Sequence, residues 1–448
     1  MFCCLLLFSQ AAFAGDSLML QRISDHILLE GACYENLRDL CKNIGHRISG
    51  SPQAEQAVTW AERLMKEAGA DTVWLQPVEV PKWVRGAEKL QLRLGGNGKM
   101  TEVPVLSIGN SVGTGGKILE AQVLMVADEA AFHQLLPEQV KGRIVFFNYR
   151  FRQDLVNTFD AYGDAVKYRW QAPDWASSKG AIAVIIRSVS TGLGDVPHTG
   201  TLRYADSLKA IPAVTIGNST ADMLEAACKN GIARARLQSH CRMEGTARSY
   251  NVIGEIRGSS FPGEIIVAGG HLDSWDVGEG AHDDGAGCVQ AIEMLRTFRA
   301  LDIKPKRTVR AVLFMNEENG LKGGTAYADS AEARKEHHIF ALESDAGGFS
   351  PRGIGLVMDD EKKQKIRTFA PLFFHYGVYD FQQESGGADI SPLKKQGVPV
   401  AGLIPDSQRY FELHHTDRDV FEAVNHRELK LGAVAMAGLV YLVSEYGL

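Results

Sequence analysis

Three short runs of apolar, β-branched residues in the second half of the chain alternate with longer stretches of helical character. The runs occupy residues 264–270, 310–315 and 339–342, and each is followed by histidine or acidic residues. Runs of this length are typical of buried strands in a sheet that carries helices on both faces. Ligands in such sheets bind beyond the carboxyl ends of the strands. The pattern therefore predicts an α/β domain whose polar residues converge at one edge.

Five short polar clusters follow these runs or lie near the end of the chain. They are His271-Leu272-Asp273, His282-Asp283-Asp284-Gly285, Asn316-Glu317-Glu318-Asn319-Gly320, Glu343-Ser344-Asp345 and His414-His415-Thr416. Imidazoles and carboxylates without thiolates suit zinc or a similar divalent cation. A single acidic residue would be interpreted as a solvated surface charge. The ordered set at strand ends instead predicts a two-metal hydrolase that uses a metal-activated water.

The stretch from His271 to Gly287 resembles the co-catalytic zinc exopeptidases, a family that includes bacterial aminopeptidases and glutamate carboxypeptidases. The resemblance covers nearly the whole chain beyond its N-terminal segment. It implies two Zn²⁺ ions and a cis peptide bond after the bridging aspartate. The roles that it implies are His271 and Asp345 on one zinc, Glu318 and His415 on the other, Asp283 as the bridge, Glu317 as general base and then acid, and Asp273 as a support for His271 or Glu317.

The activity implied by this resemblance is that of an exported di-zinc metallo-exopeptidase, which hydrolyses dipeptides or short peptides with free termini. An aminopeptidase acting on longer peptides is the alternative. A single-zinc glutaminyl cyclase and a non-catalytic binding protein on the same fold are two further hypotheses. Metal content separates them, because the peptidase needs two ions, the cyclase one and the binding protein none. The resemblance also implies a homodimer.

Two segments before His415 are candidates for substrate contacts. The Gly-rich loop contains Ser385, Gly386 and Gly387, and the second segment contains Arg409 and Tyr410. Arg409 could pair with a substrate carboxylate through two parallel hydrogen bonds, or it could be a surface arginine. His414 could line the pocket or merely pack. His282, which precedes the bridging aspartate, is expected at the rim of the site.

The chain is predicted to divide into a three-layer catalytic domain and a β-rich insertion. The catalytic domain takes residues 15–104 and 246–448, with a mostly parallel twisted sheet between helices. Residues 105–245 have short strand-like runs and many glycines, without acidic clusters. They resemble the protease-associated domain that this family carries at that place. The insertion would be a lid over the substrate cleft or a stabilising element. Its expected strands are 140–147, 180–186 and 211–216.

The chain of 448 residues is large enough for more than one domain, and 45% of them are hydrophobic. A net charge of −6 gives no electrostatic case for binding nucleic acid or an anionic membrane. Residues 429–446 are apolar, but their spacing favours a helix packed on the sheet over a membrane span.

Residues 1–14 are predicted to be an export signal, with an Ala-x-Ala site at Ala12-Phe13-Ala14. The segment lacks Lys or Arg, which is atypical, and a buried N-terminal segment is the alternative. The export signal implies a secreted or periplasmic protein, in which disulfides can form.

Five cysteines remain after such cleavage. Cys33–Cys41 and Cys228–Cys241 are the pairings closest in sequence, although sequence does not determine connectivity. Cys288 is expected to be a small buried residue.

Overall fold

A computed structural model of the protein describes residues 2–94, 98–231 and 233–448, with side chains described from residue 15 onward. The helices are α1 Phe2–Glu30, α2 Cys33–Asp39, α3 Pro52–Glu67, α4 Glu129–His133, α5 Pro137–Val140, α6 Thr158–Trp170, α7 Ala172–Ser178, α8 Asn218–Lys229, α9 Ala286–Ala300, α10 Glu317–Gly320, α11 Lys322–Arg334, α12 Asp360–Phe373, α13 Ser391–Lys395, α14 Tyr410–Leu413 and α15 His426–Tyr446. Single π-helical turns occupy Leu40–Ile44 and Ala281–Gly285, and short 3₁₀ turns occupy Phe374–Tyr376 and Phe421–Ala423.

The strands form two separate sheets. They are β1 Thr72–Val84, β2 Glu88–Leu94, β3 Thr101–Val103, β4 Leu106–Ser107, β5 Leu119–Val126, β6 Ile144–Phe147, β7 Ala183–Arg187, β8 Ala213–Ile216, β9 Ala233–Ser239, β10 Arg242–Ile256, β11 Phe261–His271, β12 Arg307–Phe314, β13 His337–Glu343, β14 Pro351–Val357 and β15 Val400–Pro405.

The first sheet has seven strands in the order β1-β10-β12-β11-β13-β15-β14. Its four central strands, β12, β11, β13 and β15, run parallel, while β10 and β14 pair antiparallel with their neighbours at the two sides. The three apolar runs at 264–270, 310–315 and 339–342 fall in β11, β12 and β13. The predicted α/β class is therefore confirmed.

Helices cover both faces of this sheet, and the strand residues alternate between them. On β12, Val309, Ala311 and Leu313 join the core that contains α9 and α15. Val312 and Phe314 face the smaller core under α11 and α13. Successive side chains of a strand point to opposite faces of the sheet. A central strand covered by helices on both faces therefore has apolar residues on both, as in a three-layer arrangement.

The second sheet has eight strands in the order β3-β2-β9-β5-β6-β7-β8-β4, and it is inserted between β1 and β10. Its strands β5 to β8 are parallel. The expected strands within 140–147, 180–186 and 211–216 are found as β6, β7 and β8. Strand β2 pairs with β9 on one side and with β3 on the other. Strands β2 and β3 therefore belong to this sheet, although the predicted division places them in the catalytic part, within residues 15–104.

The C-terminal helix α15 is long and apolar enough to cross a membrane, but 78% of its most apolar window is buried inside the protein. It packs on α9 and on the sheet, as its sequence predicted. Helix α1 adds Leu20, Ile23 and Ile27 to the same core. The side chains of the predicted export signal, residues 1–14, lie outside the described residues, and the cleavage site stays a prediction.

The two sequence-local disulfides are not formed. Among the described side chains, Cys33, Cys41, Cys228, Cys241 and Cys288 are all free thiols. Burial raises the pKa of the Cys228 thiol to about 11. Cys288 is fully buried, as expected, and its Sγ donates to the backbone oxygen of His271 at 3.0 Å.

The start of α3 offers a direct test of this fold. The hydroxyl of Ser51 accepts a hydrogen bond from the Ala54 amide at 3.1 Å and caps the helix, with Pro52 at its first position. We expect Ser51→Ala to lower the free energy of unfolding by about 1 kcal/mol in a urea titration. Ser51→Asn, which keeps a capping acceptor, should stay near wild type. Equal losses in both variants would contradict the cap.

Candidate active site

The polar clusters converge where three neighbouring parallel strands end. His271 is the last residue of β11, Glu317 and Glu318 follow β12, and Asp345 follows β13. These strands are adjacent in the order β12-β11-β13, and His271 pairs in register with Phe314. The sheet edge expected from the apolar runs therefore exists.

Two overlapping groups of side chains could each hold a metal ion. His271, Asp283 and Asp345 form one group, and Asp283, His414 and His415 form the other, with the ligand atoms of each group within 4.8 Å of one another. In the first group, His271 Nε2 lies 3.1 Å from Asp283 Oδ1 and 3.3 Å from Asp345 Oδ1. Asp283 is common to both groups, so its two oxygens can serve two ions.

Glu318 also reaches the second group. His415 Nε2 lies 3.1 Å from Glu318 Oε2 and 3.2 Å from Asp283 Oδ2. The neighbouring His414 Nε2 is farther from Asp283 Oδ2, at 3.7 Å, and its ring stacks on that of His415 with 3.5 Å between centroids. Both histidines are therefore close enough to contribute, and His415 makes the shorter contacts.

Backbone amides hold the acidic residues in place. Asp273 Oδ1 accepts hydrogen bonds from the amides of Asn316 at 2.7 Å and Glu317 at 3.0 Å. The Glu318 amide donates to its other oxygen at 3.4 Å. Asn316 adopts a left-handed conformation with φ of 74°, which an asparagine tolerates better than most residues. Asp273 thus fixes the turn that carries both glutamates.

The turn around Asp283 is fixed in the same way. Asp419 accepts from the amides of His282 at 2.7 Å and Asp283 at 3.1 Å, and Asp284 accepts from the His271 amide at 3.0 Å. The peptide bond between Asp283 and Asp284 is cis, as the family resemblance implied. These bonds determine where the shared carboxylate points.

The tautomer of His271 also suits metal binding. Its Nδ1 lies 3.0 Å from the backbone oxygen of Asp273. A carbonyl oxygen can only accept, so Nδ1 carries the hydrogen and the neutral ring keeps its Nε2 lone pair free. That lone pair faces Asp283 and Asp345.

The charge balance of the site fits divalent cations. Asp283 Oδ2 and Glu318 Oε1 are buried and have no hydrogen-bond partner among the described residues. Burial raises the pKa of Glu318 and of Glu317 well above the usual range, and neighbouring carboxylates raise both further. Buried, mutually repelling carboxylates are costly unless a cation compensates them. The nitrogen and oxygen donor set is one that zinc accepts.

A cavity of about 480 Å³ opens onto these groups. The catalytic part contributes the carboxylates of Asp283, Glu317, Glu318 and Asp345 to its wall. The insertion also lines the cavity, chiefly with residues of α6 and of the segment 201–203, so residues from both parts of the chain border it. The lining residues from the insertion include Asn110, Phe159, Tyr162, Arg169, Trp170, Thr201, Leu202 and Arg203.

The predicted substrate residues divide into two sets. Tyr410 and His414 line the cavity. Ser385, Gly386, Gly387 and Arg409 are not among its described lining residues. Gly387 packs against Glu343, where a Cβ would lie 2.0 Å from Glu343 Cδ. Arg409 pairs with Glu428 at 3.2 Å, and its guanidinium lies 4.8 Å from the centre of the Phe349 ring.

His282 is buried rather than at the rim, and its ring stacks on Phe349 with 4.2 Å between centroids. The expectation of a rim residue is therefore wrong, because the Gly348 amide donates to His282 Nδ1 at 3.0 Å and draws the ring inward.

Two residues on α6 reach the site although no sequence motif predicted them. Arg169 Nη1 lies 3.1 Å from His415 Nδ1, and Arg169 Nη2 donates to the hydroxyl of Tyr162 at 2.8 Å. The two lie seven residues apart on a helix of the insertion, without any motif around them. Only the packing of the insertion on the catalytic part brings them to His415.

Comparisons with known proteins agree with this architecture. Residues 251–440 match the model of peptidase family M28. The chain is 31% identical to carboxypeptidase Q of Bos taurus, over 92% of this chain and 85% of that protein. It is 32% identical to carboxypeptidase Q of Xenopus laevis, over 94% and 87%.

Solved structures show the same fold. The peptidase M28 precursor from Shewanella amazonensis SB2B aligns with a TM-score of 0.91 and 31% identity, covering 97% of both chains. A zinc aminopeptidase from Bacillus subtilis aligns with a TM-score of 0.66 and 22% identity, covering 92% of this chain and 94% of that one. The predicted resemblance to plasma glutamate carboxypeptidase, also called carboxypeptidase Q, is confirmed. The chain belongs to peptidase family M28 and is a metallopeptidase.

Proposed function

We propose that this protein is an exported exopeptidase with two zinc ions, which hydrolyses dipeptides or short peptides with free termini. His271 and Asp345 hold one ion, Glu318 and His415 hold the other, and Asp283 bridges them. The observation that carries the proposal is the position of Asp283, which contacts His271 through Oδ1 and His415 through Oδ2. Bridging carboxylates of this kind are a feature of paired-metal hydrolases.

Glu317 is the proposed general base. It lines the cavity beside Asp283 and Asp345, and Asp273 fixes its backbone. When bound, the zinc pair supplies Lewis acidity that makes a water more acidic and polarises the scissile carbonyl. The Glu317 carboxylate takes a proton from the attacking water and returns it to the leaving amine. Its raised pKa in the absence of cations is consistent with holding a proton.

The substrate class follows from the cavity and from the relatives. A cavity of about 480 Å³ that lies between two parts of the chain suits a small molecule or short peptide. Some similar proteins are named carboxypeptidase Q and others zinc aminopeptidase. An aminopeptidase acting on longer peptides is therefore the second candidate. We also propose that the insertion is a protease-associated domain, that the protein is exported, and that it forms a homodimer.

Elemental analysis tests the proposed pair of zinc ions. Zinc-loaded wild-type protein should contain two zinc ions per chain by elemental analysis, and Asp283→Ala should lose both because the bridge is removed. Asp360→Ala, at an exposed aspartate of α12, should retain two. A folded Asp283→Ala protein that still carries two ions would contradict the bridging role. One ion in the wild type would favour the cyclase hypothesis, and none would favour a binding protein.

The role of Glu317 is tested by Glu317→Gln. The variant should keep both zinc ions and lose activity by about 10²–10⁴-fold, which is the usual contribution of a general base. The expected loss lies in kcat, measured by dipeptide hydrolysis. Glu361→Gln, at an exposed glutamate of α12, serves as the control. A Glu317→Gln variant with a rate near wild type would refute the assignment.

Specificity is tested with a free dipeptide, its N-blocked form and its C-amidated form, after chelation and again after zinc is restored. We expect the free dipeptide to be cleaved far faster than either blocked form, with this activity lost on chelation and regained with zinc. Equal cleavage of the amidated form would identify an aminopeptidase. Hydrolysis of none of the three forms by the zinc-loaded protein would refute the proposed exopeptidase activity.

A further inference from the structure

The acidic and the arginine side chains that line the cavity come from different parts of the chain. The carboxylates that line it, Asp283, Glu317, Glu318 and Asp345, all belong to the catalytic part. The arginines that line it, Arg169 and Arg203, both belong to the insertion. A cavity that is bordered by acids from one part of the chain and by arginines from the other is complementary to a molecule that carries opposite charges at its two ends. A short peptide with free termini is such a molecule.

Arg169 is buried without a counter-ion. It is 6% exposed, and no described carboxylate lies within 4.0 Å of its guanidinium. The buried residues Arg85, Arg187 and Arg310 each pair with a carboxylate of this chain. Arg47 is also buried without a carboxylate, but backbone oxygens surround its guanidinium. Arg169 instead donates to the backbone oxygen of Thr199 and to Tyr162. Its guanidinium therefore brings to the cavity a positive charge that no ion pair with a described residue engages.

Tyr162 presents a hydrogen-bond donor to the same cavity. Its hydroxyl oxygen accepts from Arg169, which leaves its own O–H free to donate, and no acceptor for that hydrogen is found among the described residues. The ring is held in place, because it stacks on Phe411 at 4.8 Å and meets His414 edge-on at 5.4 Å. Tyr162 is thus a rigid hydrogen-bond donor in the part of the lining that the insertion contributes.

Arg203 is the accessible cation of this part of the lining. It is exposed, it lines the cavity, and no described carboxylate lies within 4.0 Å of it. Its guanidinium can form two parallel hydrogen bonds with a carboxylate without first breaking an ion pair of the protein. Arg409, the arginine expected from the sequence, is by contrast already paired with Glu428.

We propose that Arg203, together with Arg169 and Tyr162 of the same cavity lining, forms the subsite that binds the C-terminal carboxylate of the substrate. The inference rests on the proposed exopeptidase function and adds the residues that bind the free C-terminal carboxylate. The scissile amide then lies against the acidic, metal-holding residues, and the carboxylate lies against the insertion. A C-terminal amide loses the charge that this subsite recognises.

The test compares kcat/KM for a free dipeptide and for its C-amidated form. We expect Arg203→Met to lower kcat/KM for the free dipeptide by about 10- to 100-fold, the usual contribution of hydrogen bonds to a charged group. Activity on the amide should stay within about twofold, so the preference for the free form collapses. Arg203→Lys keeps the positive charge but cannot form two parallel hydrogen bonds with a carboxylate. Its kcat/KM for the free dipeptide should therefore lie between those of the wild type and Arg203→Met. Arg257→Met, at an exposed arginine near the opposite edge of the seven-stranded sheet, is the matched control.

An equal loss on both substrates, or no loss on either, would overturn the subsite. A collapse of the preference in Arg409→Met instead of Arg203→Met would also overturn it, in favour of Arg409. If the zinc-loaded wild type hydrolyses neither substrate, the proposed function fails and calorimetric titration with the same two compounds decides the subsite. Weaker binding of the free dipeptide alone in Arg203→Met would support it, and unchanged affinity would refute it.

Discussion

The site depends on one electrostatic constraint, which is the crowding of buried carboxylates around Asp283. Its two oxygens face His271 and His415, and one of them has no hydrogen-bond partner among the described residues. The imidazoles of His271 and His415 cannot balance Asp283, Glu318 and Asp345 together with Glu317. The arrangement becomes favourable when cations occupy it, because a bound divalent ion reverses the effect of burial on nearby carboxyl groups. Metal binding and the stability of this sheet edge are therefore coupled.

Further buried acidic residues give this edge its rigidity, although they need not touch a metal. Asp273, Asp284 and Asp419 each accept hydrogen bonds from backbone amides of the turns that carry the candidate ligands. Backbone donors fix the position of a carboxylate more firmly than flexible side chains do, because they belong to turns that are already ordered. The same bonds stabilise negative charge that burial would otherwise disfavour. Support of this kind keeps the cluster assembled before an ion arrives.

The sequence predicted what depends on local pattern and missed what depends on distant packing. The ends of β11, β12 and β13 could be located because apolar runs, glycines and polar clusters alternate over a few residues. The pairing of β2 with β9 could not, since it joins residues about 145 positions apart and no nearby signal specifies it. Arg169 and Tyr162 were missed for the same reason. Cys33 and Cys41 are close in sequence, but that closeness does not set the distance or orientation of two thiols.

The contacts between the insertion and the catalytic part bear on whether the insertion acts as a lid. Thr199 donates its amide to the backbone oxygen of His415 at 3.0 Å, and Ser190 donates its hydroxyl to the backbone oxygen of Phe411 at 2.6 Å. His198 Nδ1 lies 2.8 Å from the backbone oxygen of His414. These buried bonds join the insertion to the loop that carries both histidines, and opening a lid here would leave their donors and acceptors unpaired or move His415. The insertion and that loop therefore form one unit. It follows that the insertion, which bears Arg169, Tyr162 and Arg203, is tied by hydrogen bonds to the loop that bears the candidate ligand His415.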